Sequence, residues 1–171
     1  IKVGTVVGTS ITFGAAVVFN ASNTQYASAT FDPNTAGKFI ITYKDVATTD
    51  HSAAIVGTLS GTTLTFGTAV VYSTNTNTSS TVASFDPNTT GRFIVSTTHS
   101  TSSTGATAIV RTITGTSVSF GSEFTYSSSV ASGEYIAFDP NTAGKFIVIY
   151  KSSNNTSTAE VGQLASTIYI A

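Results

Sequence analysis

Apolar and polar positions along this chain follow two spacings, and neither is helical. Leu64-Thr65-Phe66 and Val118-Ser119-Phe120 alternate strictly, as a β-strand with one wet face does. Phe39-Ile40-Ile41-Thr42-Tyr43 and Phe146-Ile147-Val148-Ile149-Tyr150 are almost continuously apolar and β-branched or aromatic, which suits a strand buried on both faces. Short segments ending in Phe precede an Asp-Pro-Asn turn at Ser28 to Phe31, Val82 to Phe85 and Tyr135 to Phe138. Ala54-Ile55-Val56-Gly57-Thr58 supplies a further strand type. No segment carries a 3.6-residue apolar period of helical length, so the pattern predicts an all-β fold.

These strands recur as a unit of about 53 residues. Phe31-Asp32-Pro33-Asn34-Thr35-Ala36-Gly37-Lys38-Phe39 returns as Phe85 to Phe93 and again as Phe138 to Phe146. Ile11-Thr12-Phe13-Gly14 returns at Leu64 and Val118. Val3-Gly4-Thr5 returns as Val56-Gly57-Thr58, Val110-Arg111-Thr112 and, more weakly, Val161-Gly162-Gln163. Each unit reads as strands a, b, c and d, with burial falling from b to d as the sheet runs outward.

The punctuation agrees. Asp32-Pro33, Asp86-Pro87 and Asp139-Pro140 place Asp and Pro at the first two positions of a type I turn. Gly37, Gly91 and Gly144 follow at the point where the chain needs a conformation other residues resist. Gly8-Thr9-Ser10, Gly61-Thr62-Thr63 and Gly115-Thr116-Ser117 are short hairpin loops between c and d. The predicted boundaries are a half unit over 1–20 (a c–d hairpin) and full units over 26–72, 82–126 and 134–171. That gives three and a half copies within a single repeat domain covering 1–171.

Four-stranded units at this period are the signature of β-propeller blades. The strand, Phe-Asp-Pro-Asn turn, apolar strand arrangement resembles the Phe-Ser-Pro-Asp-Gly repeat of the Tol-type periplasmic propellers. The whole unit, with its Ser10-Ile11-Thr12-Phe13-Gly14 element, is similar to repeats of marine phage fibre-like and bacterial surface proteins. The resemblance implies a propeller-like array of four-stranded antiparallel blades and a recognition role. It carries over no catalytic residue. Because the chain starts with a c–d hairpin and two such chains would lack one a–b pair on closing a ring, it reads as the C-terminal portion of a longer array. A stacked open array in a fibre is the other arrangement that would cover its ends.

Composition narrows the function. Hydrophobic residues make up 40% of the chain and charged residues 9%, so Ser, Thr, Asn and Gly carry the polarity of an ordered protein and not of a charge-driven disordered one. A net charge of −1 and scattered basic residues offer no handle for nucleic acid or for an anionic membrane. No apolar run approaches the roughly 18 residues of a spanning helix. With no Cys, Met or Trp there is no disulfide, no thiolate nucleophile and no Cys-ligated metal.

In a four-stranded meander the a–b and c–d turns share one end, and the b–c and d–a loops share the other. The first set repeats almost unchanged; the second varies, and varied loops on a rigid scaffold are where binding is usually built. That end places Lys44, Asp45, Asp50 and His51 in one b–c loop, His99 in the next, and Lys151, Asn154 and Asn155 in the last. Asn75, Asn77 and Glu134 come from the d–a connections, and Tyr135 stands beside the last of them. Asp45, Asp50 and His51 have the chemistry for a cation or for a base and its orienter, yet no metal-loop spacing is present. Tyr26, Tyr72, Tyr126 and Tyr135 suit either sugar stacking or packing between units. Asp32, Asp86 and Asp139 read as caps of their own turns, and Lys38, Arg92 and Lys145 as solvated turn residues. Sequons at Asn20, Asn77, Asn88, Asn154 and Asn155 are what so much Asn, Ser and Thr produces by chance.

There is no Gly-x-Ser-x-Gly elbow, so the expectation is a non-enzymatic module without a cofactor. Its expected place is an extracellular or virion surface, and its expected ligand a glycan or cell-surface receptor. It is also expected to meet further blades or further copies of itself. A purely structural repeat of a fibre or coat, and a non-catalytic fragment of a propeller hydrolase, are the competing readings.

Overall fold

The computed structural model describes residues 1–47, 50–100, 105–129 and 132–164. All regular structure among them is β. Strands β1 (Gly4–Val7) and β2 (Ser10–Phe13) form a two-stranded hairpin. Sheet 1 is the antiparallel meander β3 (Thr24–Phe31), β4 (Lys38–Asp45), β5 (His51–Ser60) and β6 (Thr63–Phe66). A further strand, β7 (Val70–Ser73), also pairs with β5. Sheet 2 is β8 (Thr78–Phe85), β9 (Arg92–His99), β10 (Ala106–Thr114) and β11 (Ser117–Ser127). Sheet 3 is β12 (Ser132–Phe138), β13 (Lys145–Lys151) and β14 (Ser157–Gln163). The d strand expected in the last unit falls on residues outside those described.

The expected unit is therefore present, with two local differences. The d strand of sheet 1 is split at Gly67, whose amide bonds to Val56 O at 2.9 Å, while its counterpart β11 runs unbroken through a register shift. Strand c is as buried as strand b in sheet 1: Phe39 to Lys44 and Ser52 to Gly57 are all buried.

Each sheet has two working faces, because direct cross-strand partners project to the same side. The rear face of sheet 1 carries Phe39, Ile41, Tyr43, Ala53 and Ile55. Phe19, which follows β2, caps this cluster with its ring 5.3 Å from that of Tyr43. The forward face carries Ile40, Ala54 and Val56, which meet Phe85, Phe93 and Val95 on the rear of sheet 2. Val148 and Tyr150 on the rear of sheet 3 meet Ala106 of sheet 2. The sheets thus stack in chain order, forward face on rear face.

The repeated turn is one local structure built three times. In each, the Asp carboxylate accepts the amide two residues on at 2.9 Å (Asn34, Asn88 and Asn141). Gly37, Gly91 and Gly144 have φ of 70°, 70° and 72°. Their carbonyls accept the amides of Leu59, Ile113 and Leu164 at 2.8, 2.9 and 2.8 Å. The turns also join neighbours: Lys38 Nζ donates to Gly115 O at 2.9 Å, placing an a–b turn and a c–d turn at one end of the stack. Lys38 is accordingly tied down and not merely solvated.

Candidate functional site

The opposite end holds the b–c and d–a loops, joined by Val46 N to Asn23 O at 3.0 Å and Ser100 N to Asn77 O at 2.9 Å. Three of the four candidates of the first b–c loop are directly linked to its neighbours. Lys44 Nζ lies 3.3 Å from Asp50 Oδ2, and Asp45 accepts from Ala47 N at 3.2 Å and from Asn20 Nδ2 at 3.4 Å. His51 opens β5 directly across from Asp45. Asp50 takes a φ of 62°, a left-handed turn that Asp tolerates better than most residues.

Tyr26 stands beside this group, in a bulge of β3 next to Gln25, the cross-strand partner of Lys44. Its φ is 53° and it is 48% exposed. The repeat-equivalent residue of sheet 3 is Gly133, also in a bulge, with φ of 63°. A bulky side chain in that region costs on the order of 1–3 kcal/mol. One end of sheet 1 thus combines an exposed aromatic ring, two carboxylates, an amine, an imidazole and an amide.

The other candidates scatter. Asn77 (φ 69°) and Asn155 (φ 60°) shape their own loops, and Asn75 N donates to Ser73 Oγ at 3.3 Å. Lys151, Asn154 and Asn155 are exposed at the end of sheet 3. Tyr135, at the head of the expected strand a, lies in β12 opposite Ile149 and is exposed on the forward face of sheet 3.

His99 and Glu134, expected in exposed loops, are buried. Strand β9 runs to its last residue, so His99 is fully buried with neither ring nitrogen hydrogen-bonded. Burial pushes its pKa down against the opposing pull of Glu123, so the imidazole is neutral at pH 7. The bulge in β12 turns Glu134 inward, where it is 1% exposed. Burial raises its pKa to about 7, although the hydroxyls of Thr98, Ser80 and Tyr126 favour the charged form. Tyr126 OH reaches Glu134 Oε2 at 3.5 Å and Ser96 Oγ at 2.8 Å. In the preceding unit Tyr72 hydrogen-bonds Thr81, so Thr81 and Glu134, which occupy one position in the repeat, face equivalent tyrosines. That comparison is the sequence signal that locates Glu134 between sheets. Tyr72 and Tyr126 accordingly serve packing and not an exposed site.

Arg111 is a residue that sequence reasoning passed over. It stands where the other units have Gly4, Gly57 and Gly162, and it is buried. Its guanidinium lies 3.8 Å from the centre of the Phe120 ring and 5.2 Å from that of Tyr72, with Nη2 3.4 Å from Tyr72 O. Burial lowers its pKa to about 10, which leaves it charged at neutral pH.

Among the described residues no group of three or more His, Cys, Asp or Glu could hold a metal ion. Comparison with family models, with curated proteins and with solved structures gives no match.

Proposed function

We propose that this chain is a β-propeller-like array of four-stranded blades acting as a non-catalytic recognition or adhesion module on an extracellular or virion surface, with carbohydrate as its ligand. The observation that carries the reading is Tyr26, an exposed aromatic held in a left-handed conformation where a later unit uses Gly133. Backbone strain of this kind persists at ligand-binding positions more readily than elsewhere. An aromatic face beside carboxylate, amide and imidazole groups is the equipment that stacks on a sugar ring and hydrogen-bonds its hydroxyls. Asp45, Asp50, His51, Lys44 and Asn20 supply those polar groups at the same end of sheet 1.

Glycan-array binding tests the proposal. The expected result is a restricted set of bound glycans, with affinity falling at least about tenfold in Tyr26→Ser. Absence of glycan binding, or binding unchanged by Tyr26→Ser, overturns it.

A further inference from the structure

The two ends of the stack expose apolar faces that are repeat equivalents of surfaces buried against each other inside it. On sheet 1, Ile40, Ala54 and Val56 form the forward face on which sheet 2 sits. Their equivalents on sheet 3 are Ile147, Ala159 and Val161, held in the same register: Ile147 opposite Val161, as Ile40 is opposite Val56. Among the described residues no sheet covers them, and Ile147 and Val161 are 46% and 70% exposed. Ile149 and Tyr135 extend the patch, both exposed.

The strand c and d share of the other half of the junction is exposed at the opposite end. Sheet 2 brings Ile113 and Val118 from strands c and d onto the cluster containing Ile40, Ala54 and Val56. Their equivalents in the first hairpin are Val6 and Ile11, which are partners across β1 and β2 and are 68% and 59% exposed. Phe13, on the same face, is exposed too. Apolar patches of this kind on soluble proteins mark interaction sites.

We infer that the forward face of sheet 3 docks the rear face of the β1–β2 hairpin of a second copy of this chain, reproducing between molecules the part of the junction between sheets 1 and 2 that strands c and d supply. The contact is head-to-tail. Its two surfaces are different, so every copy bound leaves one of each kind free at the ends of the assembly, and association propagates along the stacking direction. The inference rests on the repeat and on exposure, independently of any glycan site.

The chain has no cysteine, so single cysteines report contacts without background. Ile11→Cys and Val161→Cys are prepared separately, mixed and oxidised mildly. Their internal counterparts, Val118 and Val56, meet at one cluster, so the mixture is expected to form the mixed disulfide. Either variant alone should cross-link at least fivefold less. Sedimentation of the parent protein should show mass rising with concentration, and Val161→Asp should weaken that association at least tenfold while the far-ultraviolet circular dichroism stays unchanged. A parent protein monomeric to about 100 µM overturns the inference. So do disulfides that form chiefly between identical variants, which would mean that like faces meet.

Discussion

The carboxylate of Asp32 accepts a hydrogen bond from the amide of Gly91 at 3.1 Å, joining the turn of sheet 1 to the equivalent turn of sheet 2. The same carboxylate caps its own turn through Asn34 N at 2.9 Å, so its two oxygens serve one local and one long-range purpose. Asn34 Nδ2 adds a second tie, to Asp86 O at 3.2 Å. At the next turn Asp86 Oδ2 is taken by Arg92 of its own turn, with Nε at 2.9 Å. Burial works to raise the Asp86 pKa, but the Asn88 amide and Arg92 outweigh it and hold the carboxyl below its usual value.

Asp32→Ala should therefore destabilise the fold by about 2–3 kcal/mol, because it leaves the buried Gly91 amide without a partner as well as removing the turn cap. Asp139→Ala, at an exposed turn, should cost clearly less. Urea denaturation of the two variants checks the difference, and equal midpoints would argue against the long-range role.

Gly91→Val should destabilise by at least about 1 kcal/mol, since a β-branched residue resists a φ of 70°. A Cβ there would also lie 2.7 Å from Ile113 O, a backbone atom with little room to yield. The same measurement of denaturation midpoint decides it.

Tyr26→Gly should raise stability by roughly 1 kcal/mol by releasing the left-handed strain, and at the same time weaken glycan binding. A gain in thermal midpoint together with a loss of affinity is the expected pair of results. A fall in midpoint would show that the ring holds the bulge together.

Stability should also fall as pH rises from about 4.5 to 7. Glu134 titrates at about 7 in the folded protein and near 4.5 when unfolded, so across that window the folded state holds a proton that the unfolded state has released. The loss is about 3 kcal/mol. Glu134→Gln should abolish this slope and leave a protein more stable than the parent at pH 8. His99 acts in the opposite sense: its folded pKa is depressed, so protonation of the unfolded chain below about 6.5 erodes stability. Chemical denaturation of the parent and the Gln variant across pH 4 to 9 separates the two.

What was legible in the sequence was local. The Asp-Pro-Asn turn and the left-handed glycines follow from residues a few positions apart, and all three copies adopt one geometry. Strand d follows from its alternation, and strand b from its continuous apolar, β-branched and aromatic run. His99 and Glu134 were misplaced because their environment depends on how far β9 extends and where β12 bulges, neither of which leaves a mark in the apolar pattern. Val148 and Tyr150 are buried while Ile147 and Ile149 are not, although all four lie in one uninterrupted apolar run. A run buried on both sides in sheet 1 and on one side in sheet 3 looks the same in sequence, because its neighbour, and not its composition, makes the difference.

Near-identical modules in one polypeptide run the risk of mispairing, in which a strand of one module joins the sheet of another. Here Phe39 lies over Gly57, with its ring atoms 2.1 to 2.6 Å from where a Cβ would be, and Phe146 lies likewise over Gly162. The middle module carries Arg111 at that position, so a ring cannot occupy the same volume there. Phe93, the counterpart of Phe39 and Phe146, stands opposite Arg111 in the native pairing, so its ring takes another place. Each phenylalanine is thus matched to its own neighbour, bare glycine in the outer modules and arginine in the middle one. Laying β10 against β4 or β13 would oblige a ring to leave its glycine, a small penalty that favours each strand's own partner in a chain whose modules are otherwise almost interchangeable.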